Sequence, residues 1–152
     1  VNYPGTNKPL FGVGLDVVFV TPAAPVIEKE KGTVNKDQLP NFPTFEHWYI
    51  HSPREPNEST FAILFPRRPD QPAPKVTALL DGKGCIVEHQ NGRDILFASP
   101  VPLKYNADGI EFSGRYAVIR DRGADSSITL LDGSKLSFKG KTLTEKGNAA
   151  LQ

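Results

Sequence analysis

Residues 45–51, Phe-Glu-His-Trp-Tyr-Ile-His, gather two of the three histidines, the single tryptophan and one of the four tyrosines into seven positions. A β-strand sends successive side chains to opposite faces, so Phe45, His47, Tyr49 and His51 would share one face, and Glu46, Trp48 and Ile50 the other. A His-x-Tyr-x-His row can hold a proton-transfer pair or, with a third ligand, a metal ion. Along a regular strand, however, His47 and His51 stand roughly 13 Å apart at about 3.3 Å per residue. Zinc–nitrogen bonds span only about 2.0–2.1 Å, so one ion cannot take both and no metal site is expected. Trp48 lies beside Ile50 and has two readings: burial in a sheet core, or an exposed platform that stacks on a sugar ring. In the second reading His47, Tyr49, His51 and Arg54 supply hydrogen bonds around the saccharide. Downstream, Arg67 and Arg68 come after an apolar run on what reads as a loop. There they can grip a carboxylate or sulfate, or simply stand as solvated surface arginines.

Motifs for other chemistries are missing. The glycines sit singly rather than as a strand-to-helix phosphate cradle, and no G-x-S-x-G elbow or H-E-x-x-H pair occurs. Cys85 and His89 are too far apart along one strand to act as nucleophile and base. Nothing selects two of the seventeen acidic residues as a glycoside-hydrolysing pair. The chain alone does not read as an enzyme, and no cofactor is expected.

The elements that must position these residues are strands. Fourteen prolines and thirteen glycines in 152 residues break the chain too often for long helices. From Lys75 onward, short runs rich in Val, Ile, Leu and Phe alternate with Asp81-Gly82, Asn91-Gly92, Asp108-Gly109 and Asp132-Gly133. Such pairs are strong hairpin signals, because both central residues of a type I′ turn need positive φ. The first half offers Gly14–Val20, stopped at Thr21-Pro22, then a second candidate near Val26. Residues 29–41 read as an exposed loop. Phe45–His51 and Ser59–Phe65 read as adjacent strands, the latter central because Phe61, Ile63 and Phe65 alternate with Ala62 and Leu64. A Pro-rich connector comes next, held extended by its prolines. The fold class expected is all-β: an antiparallel β-sandwich with hairpin and meander connections. Residues 1–152 would form one domain, with 1–11 and 145–152 peripheral.

Totals exclude some partners. Eighteen basic against seventeen acidic residues leave a net charge of +1, which gives no electrostatic ground for nucleic acid or an anionic membrane. The apolar stretches, such as Val17–Val20, are far too short for a membrane-spanning helix, and no signal-peptide pattern opens the chain. A lone Cys85 makes no internal disulfide and no zinc site. The complete lack of methionine reads more like an excised piece than a whole gene product.

The ordered string of features resembles one family. It begins with "GVGLDVVFVTPAAPVIEKEKG", continues through "HWYIHSPREPNESTFAILFPRRPDQPAPKVTALLDGKGCIVEHQNGRDILFASP", and closes with "IEFSGRYAVIR" and "LLDGSKLSFKGKTL". Residues 12–144 thus resemble the C-terminal β-sandwich region of heparinase II/III-type polysaccharide lyases. The resemblance implies a parent protein with a helical toroid, the glycan lying between toroid and sandwich and cleaved by β-elimination. No toroid is present in this sequence, and none of the family's catalytic residues maps onto it. The resemblance therefore implies a non-catalytic accessory sandwich, partnered by the helical catalytic domain of the same parent protein. It would be bacterial, exported to periplasm or exterior, and in contact with an acidic polysaccharide. A free-standing carbohydrate-binding module and a purely structural interaction sandwich are the alternatives.

Overall fold

A computed structural model describes residues 14–22, 25–32, 45–51, 60–68, 70–144 and 147–151. For 29–32, 45–51 and 147–149 it describes the backbone path only. The described residues form an all-β, antiparallel structure in which the sole helical element is one 3-10 turn, Leu80–Gly82.

The body is a seven-stranded sheet. Strands β5 (Lys75–Leu79), β6 (Gly84–His89), β7 (Gly92–Ala107), β8 (Ile110–Asp121), β9 (Ser127–Phe138) and β10 (Lys141–Leu143) pair in sequence order, so the path is a meander. β11 (Gly147–Leu151) adds to β9 beside β10. The C-terminal stretch expected to be peripheral thus contributes a strand to the sheet.

Three of these strands are long because runs that read as separate strands are continuous. Their breaks are corners. Pairing of β7 with β8 lapses between Ala98 and Leu103, where Pro100 and Pro102 have no N–H to give a ladder. Across the same line, β8 shifts register around Gly114 and Tyr116, opposite Gly133 of β9. A Cβ on Gly133 would lie 2.6 Å from the Ser113 carbonyl oxygen and 2.7 Å from Leu130, so the two backbones approach closely where only glycine fits. Asp132-Gly133 is therefore a mid-strand bulge and not the hairpin turn its sequence suggests.

Bending along that line folds the meander over itself into a sandwich. Ile95 and Phe97 from one half meet Ile110, Phe112, Leu136 and Phe138 from the other. Phe97 stacks on Phe112 at 4.6 Å and meets Tyr105 at 5.2 Å between ring centroids. In β8 the buried positions change from even (Ile110, Phe112) to odd (Ala117, Ile119) across the bulge. The extra residue keeps both halves facing one core.

The first half of the chain makes a nested ribbon. β1 (Gly14–Thr21) pairs with β4 (Phe61–Arg67), and between them in the chain β2 (Val26–Gly32) pairs with β3 (Phe45–His51). β3 and β4, expected to be neighbours, instead each pair with an earlier strand. Residues 29–32, read as loop, belong to β2. The inner face of β1–β4 carries Val20, Phe61, Ile63 and Phe65 onto Val76, Cys85, Val87 and Leu96. This gives β5–β7 a second cover on the side away from the main core. The outer face stays open: Leu15 is 55%, Val17 44% and Leu64 62% exposed, which contradicts a central, doubly buried strand at Phe61–Phe65.

Candidate functional site

The residues singled out in the sequence fall in three places. His47, Trp48, Tyr49 and His51 lie on β3, in register with Glu30, Lys29, Glu28 and Val26 of β2 respectively. The register puts His47 opposite Glu30 and Tyr49 opposite Glu28; the side chains of 45–51 lie outside the described residues, as does Arg54 altogether. Arg67 is the last residue of β4 rather than a loop residue. Its guanidinium is committed to an ion pair with Asp16 across the ribbon, and its Nη1 donates to the Gln71 carbonyl at 2.9 Å. Such a neutralised arginine holds a loop in place and is poorly placed to grip an anion. Arg68, one residue on, has its backbone N–H donating to Gln71 Oε1 at 3.0 Å. Among the described residues its guanidinium has no acidic partner.

Those two hydrogen bonds to Gln71, with a third from Gln71 N–H to the Arg68 carbonyl at 3.0 Å, fold the Pro-rich connector back toward the β6–β7 hairpin. A hollow of about 210 Å³ opens between them. Phe65 and Pro66 supply one wall, Gln71 the rim, and His89, Gln90 and Asn91 the opposite wall. His89 is fixed on both nitrogens. Its Nδ1 accepts the Asn91 N–H at 3.2 Å, and its Nε2 stands 3.4 Å from Asp94. Accepting at Nδ1 leaves the imidazole proton on Nε2, facing the carboxylate. The ring meets Phe65 at 5.7 Å, tilted by 41°. The hairpin turn itself is Gln90-Asn91, with positive φ at Gly92 alone (122°), so the two positive φ values expected of Asn91-Gly92 are absent there; Asp108-Gly109, read the same way, has both, 54° and 72°.

Behind this hollow runs a charge network. Asp94 Oδ1 accepts from Arg122 at 2.7 Å, and Arg122 also donates to the Arg93 carbonyl at 2.9 Å. Asp121 is the hub. Its side chain is 9% exposed and accepts from Lys139 at 2.6 Å, Ser126 Oγ at 3.0 Å, Arg93 at 3.1 Å and the Gly123 N–H at 3.2 Å. Burial by itself would raise this carboxyl; the hydrogen bonds from Lys139, Ser126, Arg93 and Gly123 outweigh it and hold the pKa at about 2. The network fastens the β8–β9 connection to β7 and to the β9–β10 turn.

Cys85 is fully buried between the two layers, and burial pushes its thiol up to about 11. A thiol so placed is inert as a nucleophile. Among the described residues no group of three or more His, Cys, Asp or Glu could hold a metal ion, and no helix is long and apolar enough to cross a membrane.

Sequence reasoning missed the hollow because its walls come from a connector and a hairpin turn some twenty residues apart. The only local signal was the Gln71 and Gln90-Asn91 amides flanking an aromatic strand end. Comparison with family models, with curated proteins and with solved structures returned no match for this chain.

Proposed function

We propose that the chain is a non-catalytic accessory β-sandwich of a carbohydrate-active, polysaccharide lyase-like protein. It braces the helical catalytic part of the same parent protein and contacts an acidic glycan from the β2–β3 ribbon. The observation that carries this reading is the outer face of β1–β4. Val17 stands directly opposite Leu64, and Leu15 opposite Pro66, so exposed apolar residues lie side by side on a layer whose other face is already fixed to the body. A contiguous apolar strip on a soluble sheet marks a surface that abuts something else. For the proposed role that neighbour is the catalytic part of the parent chain. Arg68 at the ribbon's base, without an acidic partner among the described residues, suits an anionic ligand, and export of the parent protein belongs to the same reading.

The test is retention of the isolated chain on sulfated and non-sulfated uronic-acid polysaccharides across a salt series, alongside an assay for unsaturated uronate products. Retention at low salt that weakens as salt rises, without product release, is the expected result. No retention at low salt removes the glycan contact, and release of unsaturated product removes the non-catalytic assignment.

A further inference from the structure

We infer that the hollow between the end of β4 and the β6–β7 hairpin is a binding site for one neutral sugar ring, separate from any acidic-glycan contact on β3. Size is the first argument. At about 210 Å³ the hollow is smaller than the roughly 300–1,000 Å³ that houses a drug-sized ligand, which suits a single six-membered ring.

Lining chemistry is the second. Phe65, Pro66 and Pro72 are the apolar residues of the lining, available to the C–H face of a sugar, and the His89 ring stands at 41° to Phe65. Three of the lining residues, Gln71, Gln90 and Asn91, carry side-chain amides. The Gln71 Oε1 is used by the Arg68 N–H. Its Nε2 and the side-chain amides of Gln90 and Asn91 make no hydrogen bond among the described residues. Each amide offers donor and acceptor on one flat group, matching the vicinal hydroxyls of a sugar, which both donate and accept.

Charge is the third argument. No lining residue carries a permanent charge; Arg67 is spent on Asp16 and the Gln71 carbonyl and Arg122 on Asp94, and Arg68, whose backbone bonds Gln71, is not itself in the lining. An anionic ring would find no counter-charge in the lining itself, which favours a neutral sugar there. The walls are also preorganised. Both nitrogens of His89 are occupied, and Gln71 is held by three hydrogen bonds through its backbone and side chain. Little ordering is left to oppose binding. A Pro-rich peptide is the competing ligand, but such peptides dock in grooves lined by several aromatics, and one phenylalanine stands here.

The experiment is a ¹⁵N-resolved titration of the full chain with methyl glycosides of glucose, galactose and mannose, with glucuronate and a polyproline peptide as controls. Saturating shifts at the side-chain amides of Gln71, Gln90 and Asn91 with at least one neutral glycoside, in the millimolar range of a weak single-ring site, are expected. Asn91→Ala should weaken that binding about five- to tenfold, and Phe65→Leu should do the same while keeping the apolar volume. Both variants should retain the wild-type backbone spectrum elsewhere. Absence of shifts with every neutral glycoside overturns the inference. So do tighter binding of glucuronate, binding of polyproline alone, or shifts confined to β3.

Discussion

Replacing Asp121 by Asn keeps the shape of the side chain and removes its charge. The carboxylate receives four donors from three separate segments: Arg93 on β7, Gly123 and Ser126 in the β8–β9 connection, and Lys139 in the β9–β10 turn. An amide has one acceptor oxygen and turns its NH₂ toward groups that themselves donate. Holding the carboxyl at about 2 instead of its ordinary 3.8 would be worth at most about 2.5 kcal/mol. The partners remain open to water, Arg93 at 38% and Lys139 at 46% side-chain exposure, and screening reduces the figure to about 1–2 kcal/mol. Linkage sets the sign. A carboxyl whose folded pKa is depressed stabilises fully above 3.8 and loses its contribution as pH falls toward about 2. Urea unfolding of wild type and Asp121→Asn, monitored by far-ultraviolet circular dichroism, should show that gap at neutral pH, steady down to about pH 4 and closing below it. Equal stabilities at neutral pH, or a gap that persists undiminished to the acid end, would refute the hub role.

Three further outcomes rest on the packing. Gly133→Ala should destabilise by about 1–3 kcal/mol, measured by the same unfolding curves, because its methyl would crowd the Ser113 carbonyl and Leu130. On β4, Leu64→Asp should change stability by no more than about 0.5 kcal/mol, whereas Ile63→Asp should cost about 3 kcal/mol or more by placing a charge against the cluster of Val20, Cys85 and Val87. A thiol reagent at mildly alkaline pH should leave Cys85 unlabelled in the folded protein and label it at the rate of unfolding, given its burial and a pKa near 11.

Much of the meander was legible because its signals are local. Alternating apolar runs separated by Asp-Gly specify strands and turns, and Asp108-Gly109 takes the two positive φ values its residues suggest. The corner was not legible, because a bulge and a hairpin use the same chemistry. Asp132-Gly133 and the prolines at 100 and 102 look like strand ends until the pairing partners of β7, β8 and β9 are known. Non-local pairing also decided the ribbon. Arg67 finds its carboxylate in Asp16, 51 residues away, and no pattern near Arg67 announces that. The sugar-facing residues expected on β3 share a strand as read, with their register to β2 now fixed. The hollow at His89 belongs to neither local pattern; it exists because Arg67 and Arg68 tie Gln71 back toward a hairpin from another layer.

The proposed role has this sandwich bracing a larger carbohydrate-active protein. Its most direct test is the mass of the native protein in its source, read by immunoblot with antibody raised against this 16.6 kDa chain. A band several times that mass, its catalytic part cross-linking to a probe placed at Leu64, is the expected result. A native band at the mass of the chain itself would rule out the bracing role.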